Sequence, residues 1–386
     1  NGIRIDIDYC RRQDRKLDRR IEQIKTKLDT YKEIQLWRKL YGAKFKLGSS
    51  DQLSEILFNQ LKIKSIKDTK GGGDSVDNVV LNQIDLPFIA DYLSWKKLEK
   101  LKNTYIAGLI RESVNGILRP SFNLNTVVTF RSSSSNPNFQ NLPIRDKEQG
   151  EIIRRAFIPR EGHRIGGVDY SGIEVKIAAC YHKDPVMLKY INDATTDMHR
   201  DMAMECYILD EKQVTKDSRF YAKNCFVFPE FYGDWYASCA RALWNAITEC
   251  NLKRKDETPL KDHLREKGIT SYKKFEKHIQ GVEDRFWNEK FMVYRDWKDD
   301  LLKSYERNGY VTLYTGFQCK GRLRKNEVIN YPVQGVAFHC LLWSLPRVLK
   351  MYKENNLRSL VIGQIHDEIT MDNHADELDF ILTQSK

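Results

Sequence analysis

Two segments about two hundred residues apart each run β-favouring residues straight into carboxylates. "RIGGVDYSGIE" places Asp169 at the C-terminal end of a strand, just before a helix. "SLVIGQIHDEITM" surrounds His366, Asp367 and Glu368 with strand-forming residues on both sides, so a hairpin turning at His366–Asp367 presents Asp367 at its tip. The fold these segments suggest is one in which strands from both ends of a long helical stretch share a sheet, bringing Asp169 and Asp367 together. Taken singly, "DYSGIE" reads more simply as a helix N-cap and "HDE" as an exposed turn. Taken as a pair, they suit divalent metal chemistry. One metal acidifies an attacking hydroxyl while the other stabilises the leaving oxygens of a phosphoryl transfer. Magnesium fits a site with few carboxylates, because it fills its shell with water and phosphate oxygens.

The rest of the chain is compatible with a polyanionic partner. Its 386 residues suggest two or three domains, or one large body with lobes. At 41% hydrophobic it can bury a core, while 30% charged residues and a net charge of +11 suit nucleic acid. The eight cysteines include no C-x-x-C, which argues against a zinc ribbon or thioredoxin-type site, and unpaired cysteines in a large basic chain with no signal peptide suit a reducing compartment. Runs long enough to span a bilayer, ~18 apolar residues, are missing from the sequence. A first residue that is not Met leaves room for the chain being a fragment.

Residues 11–40 repeat Leu17, Ile21, Ile24, Leu28, Tyr31 and Ile34 at three- and four-residue steps, which predicts one long amphipathic helix. Ser50 or Asp51 is the expected N-cap of a second helix. "DTKGGGDS", Asp68–Ser75, reads as a flexible tip. "RSSSSNPNFQNLPIR", Arg131–Arg145, is turn-rich and full of amides. A helix is expected from near Ser171, then helical patterns to about residue 307, a short strand at "YVTLYTG", and a polar entry into an apolar helix at "NYPVQG".

Between the carboxylates lies "KDSRFYAKNCFVFPEFYGDWY". Arg219 and Lys223 stand four apart and share a helical face. Backed by Phe226, Phe228, Phe231 and Tyr232, they can grip a triphosphate and leave a ring to support a base. The plainer reading is two solvated cations over an aromatic core face.

These segments together resemble the polymerase motifs of family A DNA polymerases, the polymerase I type. "DYSGIE" is similar to motif A, "RFYAK…FYG" to motif B and "QIHDE" to motif C, in the right order. "RSSSSNPNFQNLPIR" and "NYPVQG" resemble two further family segments, and the likeness covers nearly the whole chain, with details closest to phage-encoded members.

The resemblance implies an α+β, right-hand fold with helical thumb and fingers and an antiparallel palm sheet. It implies a thumb over 1–110, palm over 111–178, fingers over 179–355 and a second palm piece over 356–386. The C-terminus falls short of the family's usual terminal helix and strand. It also implies template-directed addition of dNTPs to a primer 3′-hydroxyl on primer–template DNA, as a monomer, in phage-type replication, with a location that is cytoplasmic in a bacterial host if the chain is phage-encoded. Asp169, Asp367 and the backbone carbonyl of Tyr170 would hold two Mg²⁺ ions, with Mn²⁺ as a substitute, and Glu368 would assist. Arg219, Lys223 and His199 would meet the triphosphate, and Phe228 the base. Glu174, hydrogen-bonded to Tyr232, would crowd a ribose 2′-hydroxyl. Arg131, Asn138, Asn141, Asn330, Gln334 and His366 would touch the primer–template, where amides and arginines suit minor-groove acceptors that look alike for every base pair.

The sequence departs from the family in several places. Gly172 stands where glutamine is usual and Lys176 where arginine is usual. Motif B has one extra residue between Lys223 and Phe228, which predicts a π-bulge that returns both to one face. Residues 246–280 exceed the expected length of the fingers. Asp146–Glu148 is no substitute for an exonuclease site, so no proofreading is expected. Glu174 argues against the related single-subunit RNA polymerases. An RNA template, or a catalytically weak DNA-binding role, stays open.

Overall fold

The computed structural model describes residues 2–65, 67–69, 71–143 and 146–384. It is an α+β molecule, as the sequence leads one to expect. Its central feature is a three-stranded antiparallel sheet in the spatial order His163–Asp169, Glu368–His374, Leu360–Ile365. The first strand and the C-terminal hairpin therefore share one sheet, with Asp169 directly opposite Glu368. Side chains alternate across the pleat. Val168, Ile369 and Met371 face one way, in a cluster with Phe338, Leu341 and Tyr352 of the Lys325–Glu354 helix. Gly167, Glu368 and Thr370 face the other way, toward Ile3, Phe139 and Phe157.

Two larger helical cores accompany this sheet, one before its first strand in sequence and one between that strand and the C-terminal hairpin. The first, built from residues 3–156, packs Leu17, Ile21 and Leu28 with Trp37, Phe88 and Tyr92. The single helix expected over 11–40 is in fact two, Ile7–Leu28 and Lys32–Tyr41. The apolar repeat runs through the break, but the polar residues at 29–30 close the turn. Thr30 Oγ1 donates to the Lys27 carbonyl at 2.7 Å, and the Arg38 guanidinium donates twice to Asp29 Oδ1. Such side chains compete with helical bonding. The turn lets the second helix bury Ile34 and Trp37. The next N-cap is Ser49, not Ser50 or Asp51, with its hydroxyl accepting from the Gln52 amide. At the glycine-rich tip, Asp68 and Asp74 form an antiparallel bridge, and Thr69 N–H donates to the Gly73 carbonyl. Lys70 lies outside the described residues.

The second core runs from Ala178 to Val333 and includes Phe226, Phe231, Phe286 and Tyr294. Residues 246–280 are integral to it, since Leu252, Leu260, Leu264, Ile269, Phe275 and Ile279 are all buried there. "YVTLYTG" forms the strand Tyr310–Thr312, paired with Gln318–Lys320. Among the described residues, no helix is long and apolar enough to cross a membrane.

Gly335 marks where the Lys325–Glu354 helix meets its neighbours most closely. A Cβ there would sit 2.4 Å from Leu313 Cδ2 and 2.6 Å from the Thr129 carbonyl oxygen. Backbone cannot yield as a flexible side chain can, so Gly335→Ala is expected to lower stability by about 1–3 kcal/mol. A urea midpoint equal to that of the wild type would show that the contact is not tight.

Candidate active site

The catalytic candidates sit at one end of the sheet because the hairpin turn and the first strand end together. His366 and Asp367 are the two residues between Ile365 and Glu368, and His366 adopts φ +53°. His366 is exposed at the turn. The Asp169 carboxyl is held above the usual carboxylate range, first by burial and then by the negative charge of Asp367. Glu368 is raised as well, by burial and by the charges of Asp169 and Asp367. The three acids thus sense one another. Glu368 lies across Gly167, where a Cβ would fall 2.0 Å from Glu368 Oε1, so the glycine makes room for the carboxyl. Beyond it opens a cavity of about 400 Å³, lined by Ile3, Phe139, Phe157 and Ile362 among others.

A buried amide network fixes the hairpin, and the sequence reading missed it. Gln364 Oε1 accepts from Ser132 Oγ and from Gln140 Nε2, each at 2.8 Å. The Gln364 amide donates to the His366 carbonyl at the turn. The available signal was a glutamine inside an otherwise apolar strand, since buried amides need partners.

Motif B contains the expected π turn. The Lys216–Ala222 helix passes into a π-helical turn over Lys223–Val227 and resumes at Phe228–Phe231. The extra residue is absorbed there, and Lys223 Nζ lies 5.0 Å from the centroid of the Phe228 ring. The four aromatics divide between two faces. Phe226 and Phe231 are buried in the core, while Phe228 and Tyr232 remain on the site side. The expectation that all four back the cations is corrected accordingly.

His199 packs edge-on to Phe228, with ring centroids 5.7 Å apart. Burial and the nearby Lys223 and Arg219 charges pull its pKa down to about 4, so its imidazole is neutral near pH 7. Its Nδ1 is buried without a partner among the described atoms. Arg219 Nε donates to Asp197 Oδ2 at 2.6 Å. Asp197 also caps the Met198–Tyr207 helix through the amides of His199 and Arg200. Asp197 stands two residues before His199 in the sequence "DMHRD", where nothing local marks it as the partner of Arg219.

Glu174 bridges two partners. Tyr232 Oη donates to its Oε2 and Arg131 Nη2 to its Oε1, both at 2.5 Å. Burial, followed by the Glu174 charge, raises the Tyr232 phenol well above its ordinary value. The helix bearing Glu174 starts at Ile173, after Gly172 at φ +60°, a left-handed position that suits glycine.

Asn330 Nδ2 donates to the Tyr232 carbonyl at 3.2 Å, and Gln334 lies one turn further along the same helix. Asn138 and Asn141 are exposed, and Asn138 Oδ1 accepts the Asn141 amide. Arg145, at the end of that segment, lies outside the described residues. Asp146 caps the Lys147–Arg154 helix and pairs with Lys97, while Glu148 pairs with Arg20 at 2.6 Å. Both acids of the D-x-E therefore have structural partners.

A carboxylate-tipped hairpin, a paired acid strand and a cationic aromatic helix can be compared as a set with known proteins. The model of DNA polymerase family A matches residues 7–385. The chain belongs to DNA polymerase family A. Among its family A relatives, DNA polymerase I of Chloroflexus aurantiacus is 29% identical over 397 residues, covering 98% of this chain and 38% of that protein. The thermostable DNA polymerase I of Thermus thermophilus is 26% identical, covering 100% and 43%. This family A chain thus spans about two fifths of the length of such relatives. The POL domain of Pol1 from M. smegmatis, solved in complex with DNA primer-template and dNTP, superposes with a TM-score of 0.77 at 23% identity. That match covers all of this chain and 63% of the other, and it supports the same fold.

Proposed function

We propose that this chain is a polymerase portion that adds dNTPs to a primer 3′-hydroxyl under the direction of a DNA template. The observation that carries the reading is the Tyr232–Glu174 hydrogen bond, which ties the helix that follows Asp169 to the motif B turn where Phe228 meets Lys223 and His199. Primer–template DNA and dNTPs are the partners proposed for it, acting on a monomer in the cytoplasm. In this reading residues 1–110 are the thumb, 111–178 and 356–386 the palm, and 179–355 the fingers.

Divalent metal dependence is general in this family, and the donor set fits Mg²⁺. Burial and then the neighbouring Asp367 charge raise the Asp169 pKa, and a dication would offset that concentration of negative charge. These two carboxylates and the Tyr170 carbonyl are hard oxygen donors, and phosphate oxygens and water complete such a shell. Mn²⁺ would satisfy the same donors. When bound, the metals lower the pKa of the primer hydroxyl and offset charge on the phosphate oxygens.

The chain's own side chains do the rest. Arg219 and Lys223 offset charge on the leaving pyrophosphate, and His199 contributes a neutral hydrogen-bonding edge. The Phe228 ring supports the incoming base. Glu174, pinned between Tyr232 and Arg131, occupies the space a ribose 2′-hydroxyl needs. Asn330 and Gln334, with Asn138, Asn141, Arg131 and His366, face the primer–template near its end, and Glu368 supports the hairpin from across Gly167.

Extension of a 5′-labelled primer on DNA and RNA templates, with and without Mg²⁺, tests this reading. Mg²⁺-dependent extension on DNA is expected. Extension on RNA as well would add reverse transcription to the activity. Tight duplex binding without extension would replace the reading with a DNA-binding role.

A further inference from the structure

We infer that Glu230 is a positioning residue for nucleotide selection, fixing the end of motif B that carries Phe228 and Tyr232. The inference rests on the polymerase reading above. Glu230 lies midway between those two residues in sequence, yet its side chain points into the core and is only 1% exposed. A carboxyl buried this deeply needs partners, and it has them. Trp287 Nε1–H donates to Oε2 at 2.8 Å, and Cys239 Sγ–H approaches Oε1 at 3.4 Å. Glu283 lies within hydrogen-bonding reach of the same carboxyl, and its own Oε1 accepts the Tyr236 amide at 2.8 Å. Lys298 Nζ sits 3.1 Å from the centroid of the Trp287 ring and 5.6 Å from that of Tyr294.

One side chain thereby links the end of motif B to helices Tyr236–Glu249 and Tyr272–Arg285 and to the Phe286–Lys290 turn that carries Trp287. Two residues on, Tyr232 donates to Glu174, the group placed against the sugar. A rotation of the Phe228–Phe231 turn about its axis would move that phenol directly. Glu230 is therefore placed to set sugar selectivity while remaining remote from the nucleotide.

The charged and titratable groups around Glu230 are Glu283, Lys298, Cys239 and Cys206, each from a different helix. Burial, and then the Glu283 charge, hold the Glu230 carboxyl well above the usual carboxylate range. Burial pulls the Lys298 ammonium down. The neutral acid can accept from Trp287 and donate to Glu283 at once. As pH climbs through the raised value, that proton leaves and two carboxylates face each other. Glutamine reproduces the neutral acid, with one acceptor and one donor, and never ionises.

The test is single-nucleotide primer extension by the purified chain, comparing kcat/KM for dNTP and rNTP from neutral to alkaline pH. Wild type is expected to lose sugar selectivity on the alkaline side, and Glu230→Gln to hold it across the range. Glu230→Leu strands Trp287 and Glu283 and should lower selectivity about tenfold at every pH, the effect of one lost hydrogen bond. Trp287→Phe keeps an aromatic ring in the core and removes the donor, so it should shift selectivity in the same direction and decides the matter if the leucine variant does not fold. Wild-type selectivity in both Glu230→Leu and Trp287→Phe overturns the inference, as does an alkaline loss in Glu230→Gln equal to that of the wild type. A wild-type chain that extends no primer overturns the polymerase reading, and this inference with it.

Discussion

Asp367→Ala is expected to abolish primer extension while leaving primer–template binding largely intact. The carboxylate stands at a turn held by the Gln364 network, opposite the strand that ends in Asp169. Losing a ligand at this point removes several kcal/mol of charge stabilisation, a rate loss of about 10³-fold or more. In the proposed reading, duplex binding draws on other side chains, including Arg131, Asn330 and Gln334, and on the chain's excess of basic residues. Stability should not suffer. Asp169 is raised in part by the charge of Asp367, so removing that charge relieves repulsion, and the thermal transition should stay level or rise. Near-normal extension by a folded variant would show that the reacting metals are held elsewhere.

Glu174→Ala is expected to admit ribonucleotides. The wild-type carboxylate is fixed from both sides, by Tyr232 Oη and Arg131 Nη2, so it cannot swing aside to accommodate a 2′-hydroxyl. Alanine opens the space, and sugar discrimination should fall by about 100-fold, the scale on which a shaped pocket rejects an added hydroxyl. Some loss of dNTP turnover should accompany it, because the half-buried Tyr232 phenol and the Arg131 guanidinium lose a shared partner. The ratio of kcat/KM for dNTP over rNTP reads this directly, and an unchanged ratio would mean that another group guards the sugar.

Much of this site was legible in the sequence because its chemistry restricts residue type and place. Carboxylates at the end of a strand and at a hairpin tip stand out from their apolar surroundings, and the antiparallel register then makes Asp169 and Glu368 neighbours. The π turn was legible from a single surplus residue between Lys223 and Phe228, since only a wider turn keeps both on one face. Other features depend on tertiary partners that local pattern does not name. The break at 29–31 is invisible to apolar periodicity, which continues through it, and is closed by Arg38 reaching back to Asp29. Arg219 reads as a free cation in sequence, but in the fold it pairs with Asp197. Gln364 and Glu230 lie inside apolar segments, and their importance emerges only when Gln140 or Trp287 arrives from a distant element. Phe226 and Phe231 belong to the same aromatic run as Phe228 and Tyr232, and only the packed core separates filler from site.

The most direct measurement of the central claim is single-turnover insertion opposite each of the four template bases, with all four dNTPs supplied separately. The account predicts that in Mg²⁺ a primer gains one nucleotide efficiently only with the dNTP complementary to the template base, with release of pyrophosphate. Insertion independent of the template base, or none by a chain that still binds the duplex, would contradict it.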